Sequence, residues 1–287
     1  MSPTTKRVVI TDRCDQDCVF CSGASGAPKG KGVFNRQRIL QYIRQRKGAV
    51  RLNISGGEPT LSPHLAEYIR SARGAGYQTI ALLTNGARFS DKTFAAEMKR
   101  SGLTETIVSI QHLSPAVNRR ITGPGTLFSK KMAGFRNLRE IGMKTTANIV
   151  IFSYNSSALL GLVKRLAAEM GVRHFVFSFL ETNCDRVKND PCLIPALRPS
   201  LSMLKKTVEY CKKESLSYCI PYDGALPPCV FKKYKIRTNR PETVDGSNFD
   251  ASKFHVFCCL ACPERPFCRG FLKDYFAESQ EILFGER

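Results

Sequence analysis

Apolar and polar positions along this chain follow two alternating periods. Residues 50–55, Val-Arg-Leu-Asn-Ile-Ser, repeat every second position, with Val50, Leu52 and Ile54 on one face and Arg51, Asn53 and Ser55 on the other, which predicts a half-buried strand. Upstream, Ile39, Tyr42 and Ile43 fall on one face of a helix expected from about Phe34 to Lys47. The pair recurs. Further strands are expected at Arg7–Thr11, Tyr77–Thr84, Thr106–Gln111, Lys144–Ile151 and His174–Leu180. Helices are expected at Pro63–Ala75, Asp91–Ser101, Phe128–Ile141 and Ser157–Met170, the third with an apolar stripe of Phe128, Met132, Phe135 and Leu138. Strands alternating with helices predict an α/β fold of parallel βαβ units with right-handed crossovers. With helices outside, the polar strand faces turn inward.

The regular pattern lapses after residue 180. Residues 181–198 hold Cys184, Cys192, Pro191 and Pro195 without a period and read as a loop, and Gly23–Gly32 reads as a mobile connection. A helix from about Ser200 to Glu214 follows, with Leu201, Leu204, Val208 and Cys211 on one face, so Cys211 reads as a core thiol. The expected division is residues 1–214 as the main domain and 215–287 as a small cysteine-rich extension.

Chemistry enters with the cysteines. Cys14, Cys18 and Cys21 lie within eight residues after the first strand, too short a loop to bury three thiols as packing, so they are expected to converge on one metal centre. Thiolates select zinc, copper(I) or an iron-sulfur cluster, and three ligands instead of four leave a position open. Sites in parallel barrels lie at the C-terminal ends of the strands. The unusual sequences fall at those ends: the cysteine loop, Gly56-Gly57-Glu58-Pro59, Thr84-Asn85-Gly86 and Ser109-Ile110-Gln111-His112.

The CxxxCxxC spacing with Phe20 before its last cysteine, together with Gly56-Gly57-Glu58-Pro59, resembles the radical S-adenosylmethionine superfamily. The resemblance implies an incomplete (β/α)6 barrel and a 4Fe-4S cluster held by Cys14, Cys18 and Cys21, with S-adenosylmethionine on the fourth iron. It also implies that Gly56, Gly57 and Glu58 meet the methionine amino end, with Glu58 lending charge or anchoring the loop. Thr84 is a candidate for the carboxylate end, Ser109 and Asn148 for ribose or carboxylate contacts, and Phe20 for packing against adenine. Thr84-Asn85-Gly86 also reads as a simple turn, and Ser109 and Asn148 as ordinary lumen residues. The activity implied is reductive cleavage of S-adenosylmethionine to a 5'-deoxyadenosyl radical that abstracts hydrogen from substrate.

A second group of cysteines sits near the end: Cys229, then Cys259, Cys262 and Cys268, beside Cys258. Four thiolates suit a closed tetrahedral zinc site or a fully ligated cluster. This region resembles the SPASM and Twitch extensions of radical S-adenosylmethionine enzymes, which implies a second 4Fe-4S cluster, with zinc the alternative. No cysteine follows Cys268, which departs from the two-cluster SPASM pattern. Cys184, Cys192 and Cys219 read as thiols without a role.

Charge adds a class of partner. The 287 residues carry 44 Lys and Arg against 24 Asp and Glu, net +20, with a local concentration at Lys232-Lys233-Tyr234-Lys235-Ile236-Arg237 and Arg240. A balance this basic attracts polyanions but says nothing about fold. The leading expectation is hydrogen abstraction from a peptide or small precursor, also suggested by a weak likeness of Arg119–Gly125 to cofactor- and peptide-maturing enzymes. Modification of RNA or a nucleotide is the second reading, and a metal-containing RNA-binding protein the third. The first two require a reductant such as flavodoxin or ferredoxin. No apolar run spans a membrane and the start lacks a signal-peptide core, so a soluble cytoplasmic protein is expected.

Overall fold

The computed structural model describes residues 5–21, 34–123, 127–222, 224–239 and 253–285. The expected connection Gly23–Gly32, Pro124, Gly125 and Arg240 lie outside these residues. The elements run β1 (Thr5–Val9), α1 (Arg36–Arg44), β2 (Arg51–Ser55), α2 (Leu65–Gly74), β3 (Thr79–Thr84), α3 (Lys92–Ser101), β4 (Glu105–Ser109), α4 (Pro115–Thr122), α5 (Leu127–Glu140) and β5 (Lys144–Ile151). They continue with α6 (Leu159–Met170), β6 (His174–Phe179), α7 (Asp185–Lys188), α8 (Leu197–Lys213), β7 (Ser217–Cys219), α9 (Pro228–Lys233), β8 (Lys253–Phe254), β9 (Phe271–Leu272) and α10 (Lys273–Phe284).

Strands β1 to β7 follow sequence order across one sheet. The β1–β2, β2–β3, β3–β4, β4–β5 and β6–β7 pairings are parallel. This is the expected α/β architecture with one strand more, because three residues of β7 are too few to show a period. The chain packs as two compact units. One comprises residues up to Asn148 with Ala167–Arg173, and the other Ile149–Leu166 with the residues from His174 onward. Among the described residues, no helix is long and apolar enough to cross a membrane.

In the first unit the periods become burial. Leu52 and Ile54 are fully buried while Arg51, Asn53 and Ser55 stay half-buried. Asp91 caps α3 by accepting hydrogen bonds from the amides of Thr93 and Phe94, and Gly102 ends that helix at φ 111°. Helix α4 was not expected from the pattern. It is short, but Ser114 accepts from Val117 N as an N-cap and Pro115 occupies the first turn. The α5 stripe also shifts. Phe135 and Leu138 are buried as expected, but Phe128 and Met132 are only half-buried, and Lys131 takes a buried place. In the second unit, the stretch read as a loop contains α7 and a 3-10 turn at Pro191–Leu193, and Leu197 N donates to Glu278 of α10 at 2.8 Å.

The polar strand faces of the first unit meet in an ion-pair network. Glu105 on β4 is bonded to Arg51 on β2 at 2.8 Å and to the Thr146 hydroxyl on β5 at 2.9 Å, with the Lys144 ammonium 3.6 Å away. Burial alone would raise the Glu105 pKa. The hydrogen bond and charge of Arg51, the Thr146 hydroxyl and Lys144 outweigh it and hold the carboxyl below its usual range. A carboxyl lowered in the folded state adds stability above its unfolded pKa and loses it as pH falls through the folded value. Glu105→Gln is therefore expected to melt below the wild type at neutral pH, with the gap closing below about pH 4. Melting curves across that range check it. A constant gap would place the effect in packing instead.

Candidate functional site

The cysteine loop leaves β1 through Ile10, whose amide donates to Ser55 O at 3.0 Å. On one side it rests on the Gly-Gly-Glu-Pro turn after β2: Gly57 N donates to Thr11 O at 2.8 Å and Glu58 N to Arg13 O at 2.7 Å. The approach is so close that only glycine fits. A Cβ on Gly56 would stand 2.3 Å from Thr11 O, and one on Gly57 would stand 2.4 Å from Arg13 O and 2.6 Å from Asp12 O. On the other side, Asp17 N donates to Thr122 O at 2.8 Å and Val19 N to Ile121 O at 2.9 Å, both at the C-terminal end of α4.

Within the loop, Gln16 N donates to Cys14 Sγ at 3.5 Å, Cys18 Sγ donates to Gln16 Oε1 at 3.6 Å, and Cys21 N donates to Cys18 O at 3.2 Å. Cys14, Cys18 and Cys21 are half-buried and unbridged, and Phe20 beside them is also half-buried.

Glu58 is the anchor of this end of the unit. Its side chain is buried and accepts from Thr60 N at 3.0 Å, Thr60 Oγ1 at 2.7 Å, Thr84 Oγ1 at 2.7 Å and Asn85 N at 2.6 Å. Burial pushes the Glu58 carboxyl up, and these four donors pull it only part of the way back, leaving it above the usual carboxylate range. Of the two roles open to Glu58, anchoring is the one this geometry embodies. Thr84, expected at a carboxylate, spends its hydroxyl on Glu58. Asn85 carries the network onward: its Nδ2 donates to Asp15 Oδ1 in the cysteine loop at 2.7 Å. Gly86 follows at φ 81°, the turn that Asn85-Gly86 predicts.

Ser109 and Asn148 are register partners on β4 and β5 and both are half-buried, so the two expected contact residues stand side by side. His112, at the same edge, accepts from Ser114 N on Nδ1 at 2.9 Å. Sequence reasoning missed Lys131. It is buried on α5, and its electrostatic neighbours are Cys18, Glu58, Asp15 and Cys14.

The other cysteine group lies in the second unit. Cys229 belongs to α9, and Cys259 closes the 3-10 turn Phe257–Cys259. Cys262 N donates to Cys259 O at 3.2 Å, Cys268 N to Glu264 O at 2.9 Å, and Gly270 N to Cys268 Sγ at 3.3 Å. Burial pushes the Cys229 thiol up to about 12, with Cys268 and Cys259 adding to it. Burial likewise raises Cys268, with Cys259 and Cys262 contributing. The four thiols are thus electrostatic neighbours, and the exposed Cys258 also hydrogen-bonds the Cys259 side chain. Tyr222 hydrogen-bonds Glu264, and the buried Lys253 donates to Gly224 O at 2.8 Å, so both brace this region.

Among the described residues, no three His, Cys, Asp or Glu groups stand at ligating distance of one another. The donor chemistry nonetheless suits a thiolate-bound cluster in the first loop: three unbridged thiols lie on a backbone fixed from two sides, and three thiolates leave one metal of a four-iron cluster for a non-protein ligand. The second group offers four thiols, enough to enclose zinc or a cluster completely.

Comparison with known proteins agrees with this geometry. The family model described as Radical SAM superfamily matches residues 8–166. The chain is 25% identical over 278 residues to a GTP 3',8-cyclase of Aquifex aeolicus, covering 92% of this chain and 76% of the relative. It is 27% identical over 169 residues to a probable GTP 3',8-cyclase of Saccharolobus islandicus, where the match covers 58% of this chain and 53% of the relative. Among solved structures it resembles Streptococcus suis SuiB bound to the precursor peptide SuiA, with TM-score 0.68, 15% identity, and coverage of 98% of this chain and 74% of SuiB. It also resembles native anSMEcpe with bound AdoMet and the Kp18Cys peptide, with TM-score 0.66, 13% identity, and coverage of 98% and 96%. At these identities the structural likeness establishes the fold, a radical SAM partial barrel.

Proposed function

This chain belongs to the radical SAM superfamily and is an enzyme of radical chemistry, and from that premise we propose that Cys14, Cys18 and Cys21 hold its 4Fe-4S cluster. The supporting observation is the two-sided seating of the cysteine loop, between Gly57 and Glu58 on one flank and Ile121 and Thr122 on the other. Bound there, the cluster and S-adenosylmethionine supply one-electron cleavage of the sulfonium and a 5'-deoxyadenosyl radical able to abstract hydrogen. The protein's own part is to hold them. Glu58 fixes the Gly-Gly-Glu-Pro turn and, through Asn85, ties it to Asp15. Ser109 and Asn148 offer polar contacts to S-adenosylmethionine from adjacent strands, and Phe20 offers an aromatic face to adenine. A low-potential one-electron donor such as flavodoxin or ferredoxin completes the system. Cys229, Cys259, Cys262 and Cys268 hold an auxiliary centre, a second 4Fe-4S cluster or alternatively zinc.

For the substrate, a nucleotide now ranks ahead of a peptide. The cyclase similarity extends over 92% of the chain, and an excess of 20 positive charges suits a phosphate-bearing substrate. The peptide reading is favoured by the fold neighbours SuiB, bound to the precursor peptide SuiA, and anSMEcpe, bound to the Kp18Cys peptide. One anaerobic preparation tests both levels. Iron and zinc are counted per chain, dithionite and S-adenosylmethionine are added, and 5'-deoxyadenosine is measured with GTP and with peptides. About eight irons with cleavage is the expected result. About four irons with one zinc would replace the auxiliary cluster. Cleavage stimulated by peptides but not by GTP would overturn the nucleotide reading, and no cleavage from fully clustered protein would overturn the assignment of the loop.

A further inference from the structure

One buried charge has no place in the chemistry described so far. Lys131 is 3% exposed on α5, sharing the buried face with Gly134, Phe135 and Leu138. Lysines are almost never buried this fully unless paired. Helix α5 comes close because Gly134 lacks a side chain: a Cβ there would stand 2.3 Å from Gly86 O. The Lys131 stem then passes Gly86, with Cγ 3.8 Å from the position of a Gly86 Cβ. Asn85, one residue earlier, donates to Asp15 of the cysteine loop at 2.7 Å. The groups whose charges bear on the ammonium are two cysteines of that loop, Cys18 and Cys14, and two carboxylates, Glu58 and Asp15. Burial lowers the Lys131 pKa, and these four acidic neighbours oppose the fall.

We propose that Lys131 is a positioning residue that places a positive charge behind the cysteine loop and raises the reduction potential of the cluster bound there. The inference rests on the reading of Cys14, Cys18 and Cys21 as cluster ligands. Three thiolates on a four-iron core leave a net negative centre, and the electron accepted from a low-potential one-electron donor makes it more negative. A nearby cation stabilises the reduced form more than the oxidised form. Net charge and burial are among the levers that set such potentials. Because Lys131 is shielded from water, its effect is weakly screened by salt.

The test is a redox titration of reconstituted protein followed by electron paramagnetic resonance. The loop cluster is identified as the signal altered by S-adenosylmethionine. Lys131→Met keeps the stem and removes the charge; Lys131→Arg keeps the charge. At a fixed potential the reduced fraction of Lys131→Met is expected to fall about tenfold relative to oxidised, a midpoint ~59 mV lower, while Lys131→Arg stays near wild type. A midpoint unchanged in Lys131→Met at wild-type iron content would overturn the proposal. Absence of any S-adenosylmethionine-sensitive signal in the wild type would instead overturn the ligand assignment on which it rests. If Lys131→Met fails to load iron, Lys131→Gln is compared. Loss of iron in both neutral variants with retention in Lys131→Arg supports a need for the charge at the cluster. Loss in all three assigns Lys131 to packing and overturns the proposal.

Discussion

Protein in which Cys14, Cys18 and Cys21 are all replaced by alanine is expected to form no 5'-deoxyadenosine and to carry about four fewer irons per chain. The thiols are half-buried and unbridged, and the bonds that seat the loop on its neighbours are backbone bonds at Thr11, Arg13, Asp17 and Val19; the alanines remove the long sulfur contacts of Cys14 and Cys18 with Gln16. Their removal should therefore leave the fold intact, and circular dichroism and the melting temperature should change little. The auxiliary centre should persist, because its cysteines belong to the second compact unit. Metal analysis together with chromatography of the reaction mixture checks both halves. Full iron retention in the triple variant would mean that the loop holds no cluster.

The second large effect is expected from a single methyl group. Gly57→Ala places a Cβ 2.4 Å from Arg13 O and 2.6 Å from Asp12 O, and both are backbone atoms that cannot swing aside as a flexible side chain could. The turn and the cysteine loop must separate, at a stability cost of about 1–3 kcal/mol, and the Gly57–Thr11 and Glu58–Arg13 hydrogen bonds lengthen or break. S-adenosylmethionine cleavage is expected to drop about 100-fold, the scale on which small misplacements act in catalysis. Gly161→Ala is the control: it lies in α6 with nothing within 4 Å of an added Cβ, so it should keep activity and gain up to about 1 kcal/mol. Activity at wild-type level in Gly57→Ala would show that the turn and the loop do not need to touch.

The sequence revealed most where one period dominates. Strand β5 begins and ends where the pattern predicts, and the burial of Leu52 and Ile54 on β2 follows directly from their alternation. Glycine-rich turns were legible as positions, but not their purpose. Gly56 and Gly57 were read for the approach of a ligand; the structure adds a second reason for glycine there, the close approach of Thr11, Asp12 and Arg13, a contact that no local pattern encodes. Helix α4 was lost because eight residues give barely two turns, although Ser114 followed by Pro115 was an available start signal. Lys131 was missed for a deeper reason. A lysine in a helix pattern is read as solvent-facing, and only the tertiary fold reveals its burial beside the acidic groups Cys18, Glu58, Asp15 and Cys14.

The seating of the cysteine loop has a consequence for how the protein is made. Asp17 and Val19 are held by Thr122 and Ile121, so a loop near the beginning of the chain takes its shape from residues synthesised long afterwards. On a growing chain, Cys14, Cys18 and Cys21 emerge before their supports at Gly57 and α4 exist, and local sequence alone does not hold them together. Loading of metal onto these thiols would thus follow long-range folding instead of nucleating it, and a chain truncated before Ile121 would present the same three cysteines without the platform that gathers them.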